Sequence, residues 1–203
     1  HVEVVEFARV DHVPRPGEII RARETWTEPA GGGAVAATAL QRLASDVMFF
    51  TAFGDDEVGH RAEQELLARG LRIECVYRDE PQRRGFTYLD SSGERTITVI
   101  GRKLVPHADD PLPWAELDEV AGVYLCGADP GAVREARRAR ALVATARELA
   151  TLKEAGVELD ALVQSASDES ERYRPGDLDP PPRRVVTTEG RKGGQYDEGD
   201  RQG

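Results

Sequence analysis

The feature that most constrains the fold of this chain is a rhythm in which short apolar runs alternate with amphipathic stretches. "DVMFFTA" (Asp46 to Ala52), "VYLC" (Val123 to Cys126), "ALVAT" (Ala141 to Thr145), "ALVQ" (Ala161 to Gln164) and "RVVTT" (Arg184 to Thr188) are short, continuous and apolar. Each reads as a buried strand. Between them lie helix-like segments at Val35 to Ala44, Val58 to Arg69, Ala132 to Arg140 and Ala146 to Ala155. A parallel strand pair needs a crossover, and a helix supplies it. The alternation therefore predicts an α/β protein built on a doubly wound, mainly parallel sheet with helices on both faces.

One portion breaks the rhythm. "GFTYLDSSGERTITVI" carries two β-rich arms, Phe86 to Asp90 and Arg95 to Ile100, around a Ser-Ser-Gly turn, and reads as a hairpin. "GEIIRARETWTE" is strand-like as well, through Ile19, Ile20, Trp26 and its threonines. The two pieces, approximately residues 14–28 and 85–100, predict a small β-sheet added to the main domain, placed to act as a lid. The expectation is one α/β domain over residues 1–203 with this lid as its appendage. The proline-rich stretches Pro106 to Trp114 and Arg174 to Arg184 read as connecting loops.

Charge narrows the partners. With 27 basic against 37 acidic residues the formal net charge is −10, and no long basic run offsets it. That balance argues against nucleic acid or an anionic membrane and favours a small-molecule or protein partner. No stretch has the length of a membrane span and the start does not read as a signal peptide. Cys75 and Cys126 lie far apart in strand-like surroundings, as buried reduced thiols do. The expected setting is the cytoplasm.

The stretch "EPAGGGAVAATALQRL" places Gly31, Gly32 and Gly33 before an alanine-rich helix. Such a loop lets backbone approach a ligand closely and aims helix N–H groups at it, which suits an anion or a sugar. The spacing matches neither the dinucleotide nor the Walker fingerprint, so an NAD-type enzyme is disfavoured. In "FGDDEVGHRAEQELLARGL", Asp55 and Asp56 stand at a helix start, where acidic residues contribute roughly 0.3 to 1 kcal/mol without any ligand. The four histidines have no cysteine or second histidine at zinc-ligand spacing. Arg83 and Arg84, at the foot of the hairpin, read as solvent-exposed or as contacts to an anionic substrate.

Taken in order, the glycine loop, its helix, a strand and Gly-x-Asp-x-x-Gly (Gly54, Asp56, Gly59) resemble the ribokinase-like, or PfkB, carbohydrate kinase family. The opening "HVEVVEFARVDHVPRPGEII" is similar to that family's beginning, where the first strand runs into a Pro-x-Pro-Gly-Glu lead to the lid. "VVTTEGRKGG" resembles its strand followed by T-x-G-x-x-G, here Thr188, Gly190 and Gly193. The resemblance implies transfer of the γ-phosphoryl of ATP to a hydroxyl of a sugar, nucleoside or related alcohol, with Mg2+ bridging the phosphates.

The resemblance also implies roles for individual residues. Gly31, Gly32 and Gly33 would line the acceptor; Val5 aligns most directly with the family's sugar-binding aspartate, and Glu3 or Glu6 nearby would offer a carboxylate to sugar hydroxyls instead. Thr188, Gly190 and Gly193 would border ATP. Ser165 and Asp168 would match the family's Asn-x-x-Glu element, with Asp168 serving Mg2+ or phosphate, although a polar loop after a strand explains the same residues. The family's catalytic base lies in an Asp-Thr-x-Gly-Ala-Gly-Asp motif that has no match here, so no catalytic base is expected among these 203 residues. His1 falls just after the expected first strand, and the chain reads as a piece lacking that strand and the C-terminal catalytic segment. Val35, Ala36 and Ala37 stand where the family carries a sugar-binding asparagine. A homodimer is expected from the resemblance. The alternative is an inactive member that binds a metabolite or a protein.

Overall fold

The computed structural model describes residues 1–44 and 46–198 and the backbone of residues 201–202. The chain forms two compact units, residues 1–105 and 106–203.

The first unit contains two sheets and two helices. Strands β1 (Glu3–Arg9), β2 (Glu24–Ala30), β5 (Arg84–Leu89) and β6 (Arg95–Ile100) form a sheet in the order β2-β1-β5-β6. β1 runs antiparallel to β2 and parallel to β5, and β5–β6 is the expected hairpin. Asp90 tightens its turn, accepting from the Ser92 hydroxyl and from the N–H groups of Ser92 and Glu94.

The strand expected over residues 17–28 begins only at Glu24. Pro14 and Pro16 supply no N–H to a ladder, and Gly17 turns the chain at φ +82°. Ile19 is left 98% exposed, an apolar residue without a sheet to bury it. Residues 3–9 form a central strand although they follow the first strand expected from the resemblance. They pair on both sides and bury Val4, Val5 and Ala8.

β3 (Met48–Gly54), α2 (Glu57–Ala68) and β4 (Arg72–Arg78) make a βαβ unit whose strands pair in parallel. α2 starts where Asp56 accepts from the Gly59 N–H at 2.8 Å, and its apolar stripe buries Ala62 and Leu66. Gly70, at φ +88°, ends the turn that follows it. α1 (Gly31–Leu43) has no side-chain cap at Ala30 and buries only small residues, Gly33, Ala34 and Ala37. These small faces let α1 lie close over the core made by Val2, Phe49, Phe53, Leu66 and Leu71.

The second unit follows the expected alternation. β7 (Val123–Leu125), β8 (Leu142–Thr145), β9 (Ala161–Ser165) and β10 (Val185–Thr188) are parallel neighbours. β11 (Gly194–Glu198) and β12 (Arg201–Gln202) extend the sheet antiparallel. α3 (Pro130–Ala136) and α4 (Leu149–Ala155) are the crossovers. α3 is shorter than expected, because a tight turn takes over at Arg137. α4 loses its first turn to a tighter 3-10 turn at Ala146–Glu148. Between β9 and β10 the described residues form no α-helix, consistent with the proline-rich loop expected there. The core gathers Leu125, Val133, Leu142, Leu152, Leu159 and Leu162. Arg137 and Asp160 meet at 2.6 Å, and Asp160 also accepts from the Leu142 N–H, fixing the entry to β8. No disulfide joins Cys75 and Cys126.

Candidate functional site

In the first unit the structure brings the acceptor-side candidates together. The β1–β2 register sets Glu3 opposite Ala30, the residue immediately before Gly31. A Cβ on Gly31 would stand 3.0 Å from the Glu3 nitrogen and 3.2 Å from its Cγ, and the backbone there has φ +82°. Gly31 is therefore demanded by conformation and by the closeness of Glu3. Gly33 is demanded by packing alone, since its Cβ would lie 2.5 Å from the His1 nitrogen and 2.9 Å from Phe49 Cζ. Gly32, between them, is the next residue of the same helical turn.

Glu3 is buried, with 9% of its surface exposed. A bare buried carboxylate would be costly, and an arginine and a histidine face it. Arg83 Nε lies 2.8 Å from Glu3 Oε1, and His1 Nε2 lies 3.5 Å from the same oxygen. The Arg83 contact is a charge pair rather than an aligned hydrogen bond, because buried Nε–H has no hydrogen-bond partner. Sequence spacing could not have found a pair 80 positions apart.

The Gly-x-Asp-x-x-Gly element is a structural clamp. Gly54 and Asp56 converge on Gln82, which is 2% exposed, and Gly59 packs on Gly54 and donates to Asp56. The Gly54 N–H donates to Gln82 Oε1 at 3.0 Å, and the Gln82 N–H donates to Asp56 Oδ2 at 3.0 Å. Gln82 Nε2 donates to the Val2 carbonyl at 2.9 Å, tying the clamp to the lead into β1. A Cβ on Gly59 would meet the Gly54 carbonyl oxygen at 2.1 Å, so the helix start and the strand end touch backbone to backbone. Asp56 is thus spent on capping and on Gln82, as an acidic residue at a helix start ordinarily is.

The second unit gathers the remaining candidates at the C-terminal ends of its parallel strands, where ligands of open α/β sheets bind. Ser165 and Thr188 are partners in the β9–β10 register, and Thr188 Oγ1 donates to the Gln164 carbonyl at 3.2 Å. After Thr188 the chain turns through Gly190 (φ +61°) and Gly193 (φ +93°), closed by the Glu189 N–H donating to the Gly193 carbonyl at 2.8 Å. A Cβ on either glycine would meet nothing within 4 Å.

Asp168 caps a 3-10 turn at Glu169–Glu171. Its Oδ1 accepts from the Ser170 hydroxyl and N–H, and its Oδ2 pairs with Arg147 at 2.8 Å. These bonds from Ser170, reinforced by Arg147, hold the carboxyl below its ordinary range. Arg147 also pairs with Glu171. Both oxygens of Asp168 thus have protein partners, Ser170 on Oδ1 and Arg147 on Oδ2. Among the described residues, no group of three His, Cys, Asp or Glu could hold a metal ion.

A cleft of about 580 Å³ opens on this unit, lined by Gln164, Tyr173, Thr187, Gln195, Tyr196 and Asp197 among others. Gln164 organises it, donating to Thr187 Oγ1 at 2.9 Å and accepting from the Tyr173 N–H at 2.8 Å. None of the site residues expected from the sequence lines this cleft. The only hint in the sequence is a glutamine at the end of an otherwise apolar strand.

Parallel strands joined by helices, with a small mixed sheet in the first unit, define an α/β protein of the ribokinase-like fold. Solved structures of that fold match the chain along its whole length. The ribokinase of Thermotoga maritima is 18% identical with a TM-score of 0.71, and the match covers 100% of this chain and 74% of that one. The ribokinase of Cryptococcus neoformans var. grubii, solved in complex with ADP, is 20% identical with a TM-score of 0.65, covering 100% and 75%. The Escherichia coli phosphofructokinase-2, solved with fructose-6-phosphate, is 15% identical with a TM-score of 0.68, covering 99% and 75%. No curated protein matches the chain. The pfkB family carbohydrate kinase model matches residues 3–176, and the chain belongs to that family. No helix among the described residues is long and apolar enough to cross a membrane.

Proposed function

We propose that this chain holds the substrate and nucleotide of an ATP-dependent kinase that phosphorylates a hydroxyl of a sugar or sugar-like small molecule. The observation that carries the reading is the buried carboxylate of Glu3 pressed against Gly31 in a member of a carbohydrate kinase family. A carboxylate so placed accepts hydrogen bonds from acceptor hydroxyls, and the glycine loop lets the sugar approach backbone.

Phosphoryl transfer asks the protein mainly for positioning and for stabilisation of charge. Glu3 orients the acceptor. Thr188, Gly190 and Gly193 border ATP, the two glycines leaving open the space that side chains would fill. As the acceptor oxygen bonds to the γ-phosphorus, its proton goes to a base and ADP departs. That base is not assigned to any residue of this chain. Mg2+ supplies charge neutralisation on the phosphates when bound. Asp168, committed to Arg147 and Ser170, is proposed to serve it only through water, and no step is assigned to that contact. The four-stranded sheet of the first unit is the proposed lid. Its β6 edge, where Ile97, Val99 and Ile100 are exposed, is the proposed face of a cytoplasmic homodimer.

The test is ATP binding and turnover by the complete gene product against a panel of sugars and nucleosides. Phosphorylation of at least one panel member is the expected result. A folded protein that fails to bind ATP at about millimolar concentration, far above the affinity typical of an enzyme for its substrate, overturns the reading. Metabolite binding without turnover favours the inactive family member, for which Val35, Ala36 and Ala37 in place of the family's asparagine, and Ser165 and Asp168 in place of its Asn-x-x-Glu element, are the supporting observations.

A further inference from the structure

The Glu3–Arg83 pair is built differently from the buried Gln82 network beside it. Gln82, its neighbour in sequence, is bonded on every side to Gly54, Asp56 and Val2. Arg83 has a side chain that is 18% exposed and Glu3 one that is 12% exposed, so both charges have left most of their water. A purely structural pair at that depth recovers its desolvation only with good geometry and with its remaining donors satisfied. Arg83 lacks both. Its Nε stands 2.8 Å from the carboxylate yet makes no aligned hydrogen bond, and a guanidinium has four further N–H donors in a rigid fork. The pair also sits where the Gly31 backbone meets Glu3, the contact on which the acceptor site rests.

We infer that Arg83 is a specificity-determining residue that selects an acceptor bearing an anionic group. The proposal rests on the acceptor-site reading above and names its substrate class: a sugar carrying a phosphate or a carboxylate. Glu3 accepts from a hydroxyl of that acceptor, while the guanidinium fork meets its anionic oxygens, the geometry for which arginine is suited. Arg83 then trades a misaligned contact for aligned, charge-assisted bonds. A neutral sugar offers it no comparable partner. Arg84, its exposed neighbour on β5, takes no part and serves as the control.

The test is calorimetric titration of the full chain with ribose, ribose 5-phosphate, gluconate and inorganic phosphate, each with and without ATP. At least one anionic sugar is expected to bind ten-fold or more tightly than ribose, and the two anionic arms distinguish phosphate from carboxylate. Arg83→Gln is expected to erase that preference, Arg83→Lys to restore part of it, and Arg84→Gln to leave it unchanged. Equal binding of neutral and anionic sugars by the unsubstituted protein overturns the proposal without any variant needing to fold. So does tight binding of inorganic phosphate that Arg83→Gln leaves intact, which places the anion elsewhere. If ATP binds and no anionic sugar does, the selectivity is wrong and the kinase reading stands. If ATP does not bind to the folded chain, both fall.

Discussion

The two units hold their candidate residues in opposite ways. In the first, Gly54 and Gly59 are locked where an added Cβ would strike backbone at 2.3 and 2.1 Å, and Glu3 is buried against Gly31. In the second, Gly190 and Gly193 have nothing within 4 Å of a Cβ, and Asp168 sits at the surface between Ser170 and Arg147. The proposed acceptor side is thus made by close packing, which fixes a small polar group to a fraction of an ångström. The proposed nucleotide side is made by backbone conformation alone, which leaves room for a ligand to complete it. Glycine serves both, for different physical reasons.

That contrast can be broken by substitution, and each unit carries one tryptophan to report it, Trp26 in the first and Trp114 in the second. The largest effect is expected for Gly59→Ala. Its methyl would collide with the Gly54 carbonyl, destabilising the first unit by about 3 kcal/mol or more. Urea unfolding followed in a variant retaining only Trp26 measures it, and an unchanged midpoint would mean the strand end and helix start can separate cheaply.

Next comes Gln82→Ala, which strips partners from the buried Gly54 N–H and Val2 carbonyl and is expected to cost about 2 to 3 kcal/mol. Gly193→Ala should cost about 1 to 3 kcal/mol through its backbone angles rather than by collision. With Trp114 as the probe its effect should be confined to the second unit, and nucleotide binding should weaken with it.

A reactivity measurement sharpens the comparison on the side of burial. Desolvation, aided by the hydrogen bond from Cys75 to Glu63, pushes the Cys75 thiol up to about 12. At neutral pH it is almost wholly protonated, so alkylation by iodoacetamide should be far slower in the folded chain than in urea, where the ordinary value near 8.5 returns. Equal rates in both states would show that the β3–β4 region opens freely.

The smallest effect concerns Asp168. Its carboxyl is held below the ordinary value, first by Ser170 and then by Arg147, so the folded state favours the charged form. The stabilisation is present above the ordinary aspartate range and fades as pH falls through the depressed value. Asp168→Asn should therefore flatten the acid limb of the urea midpoint between about pH 5 and pH 2 and leave neutral pH nearly untouched. A difference that grows above pH 6 would contradict the sign.

Most of the strands and helices follow from patterns of a few residues. The apolar runs at β3, β7, β8, β9 and β10 and the hairpin at β5–β6 are found where periodicity and turn residues put them. β4 lies in "RIECVYR", where Arg72, Glu74 and Arg78 break up the continuous apolar run that marks the other strands. Ile19 and Ile20 mislead because β-branched residues imply a strand only if a neighbour is available to pair, and the prolines before them prevent it.

By itself the sequence determined the α/β rhythm, the caps, the hairpin and the membership of a carbohydrate kinase family, because each is written in local spacing or in the order of short motifs. Only the tertiary structure decided that Gln82 clamps the Gly-x-Asp-x-x-Gly element, that Arg83 faces Glu3, and that Arg147 occupies Asp168. Those contacts join residues 21 to 80 positions apart. Spacing along a chain carries no record of such distances, and only packing of the strands brings the groups within reach.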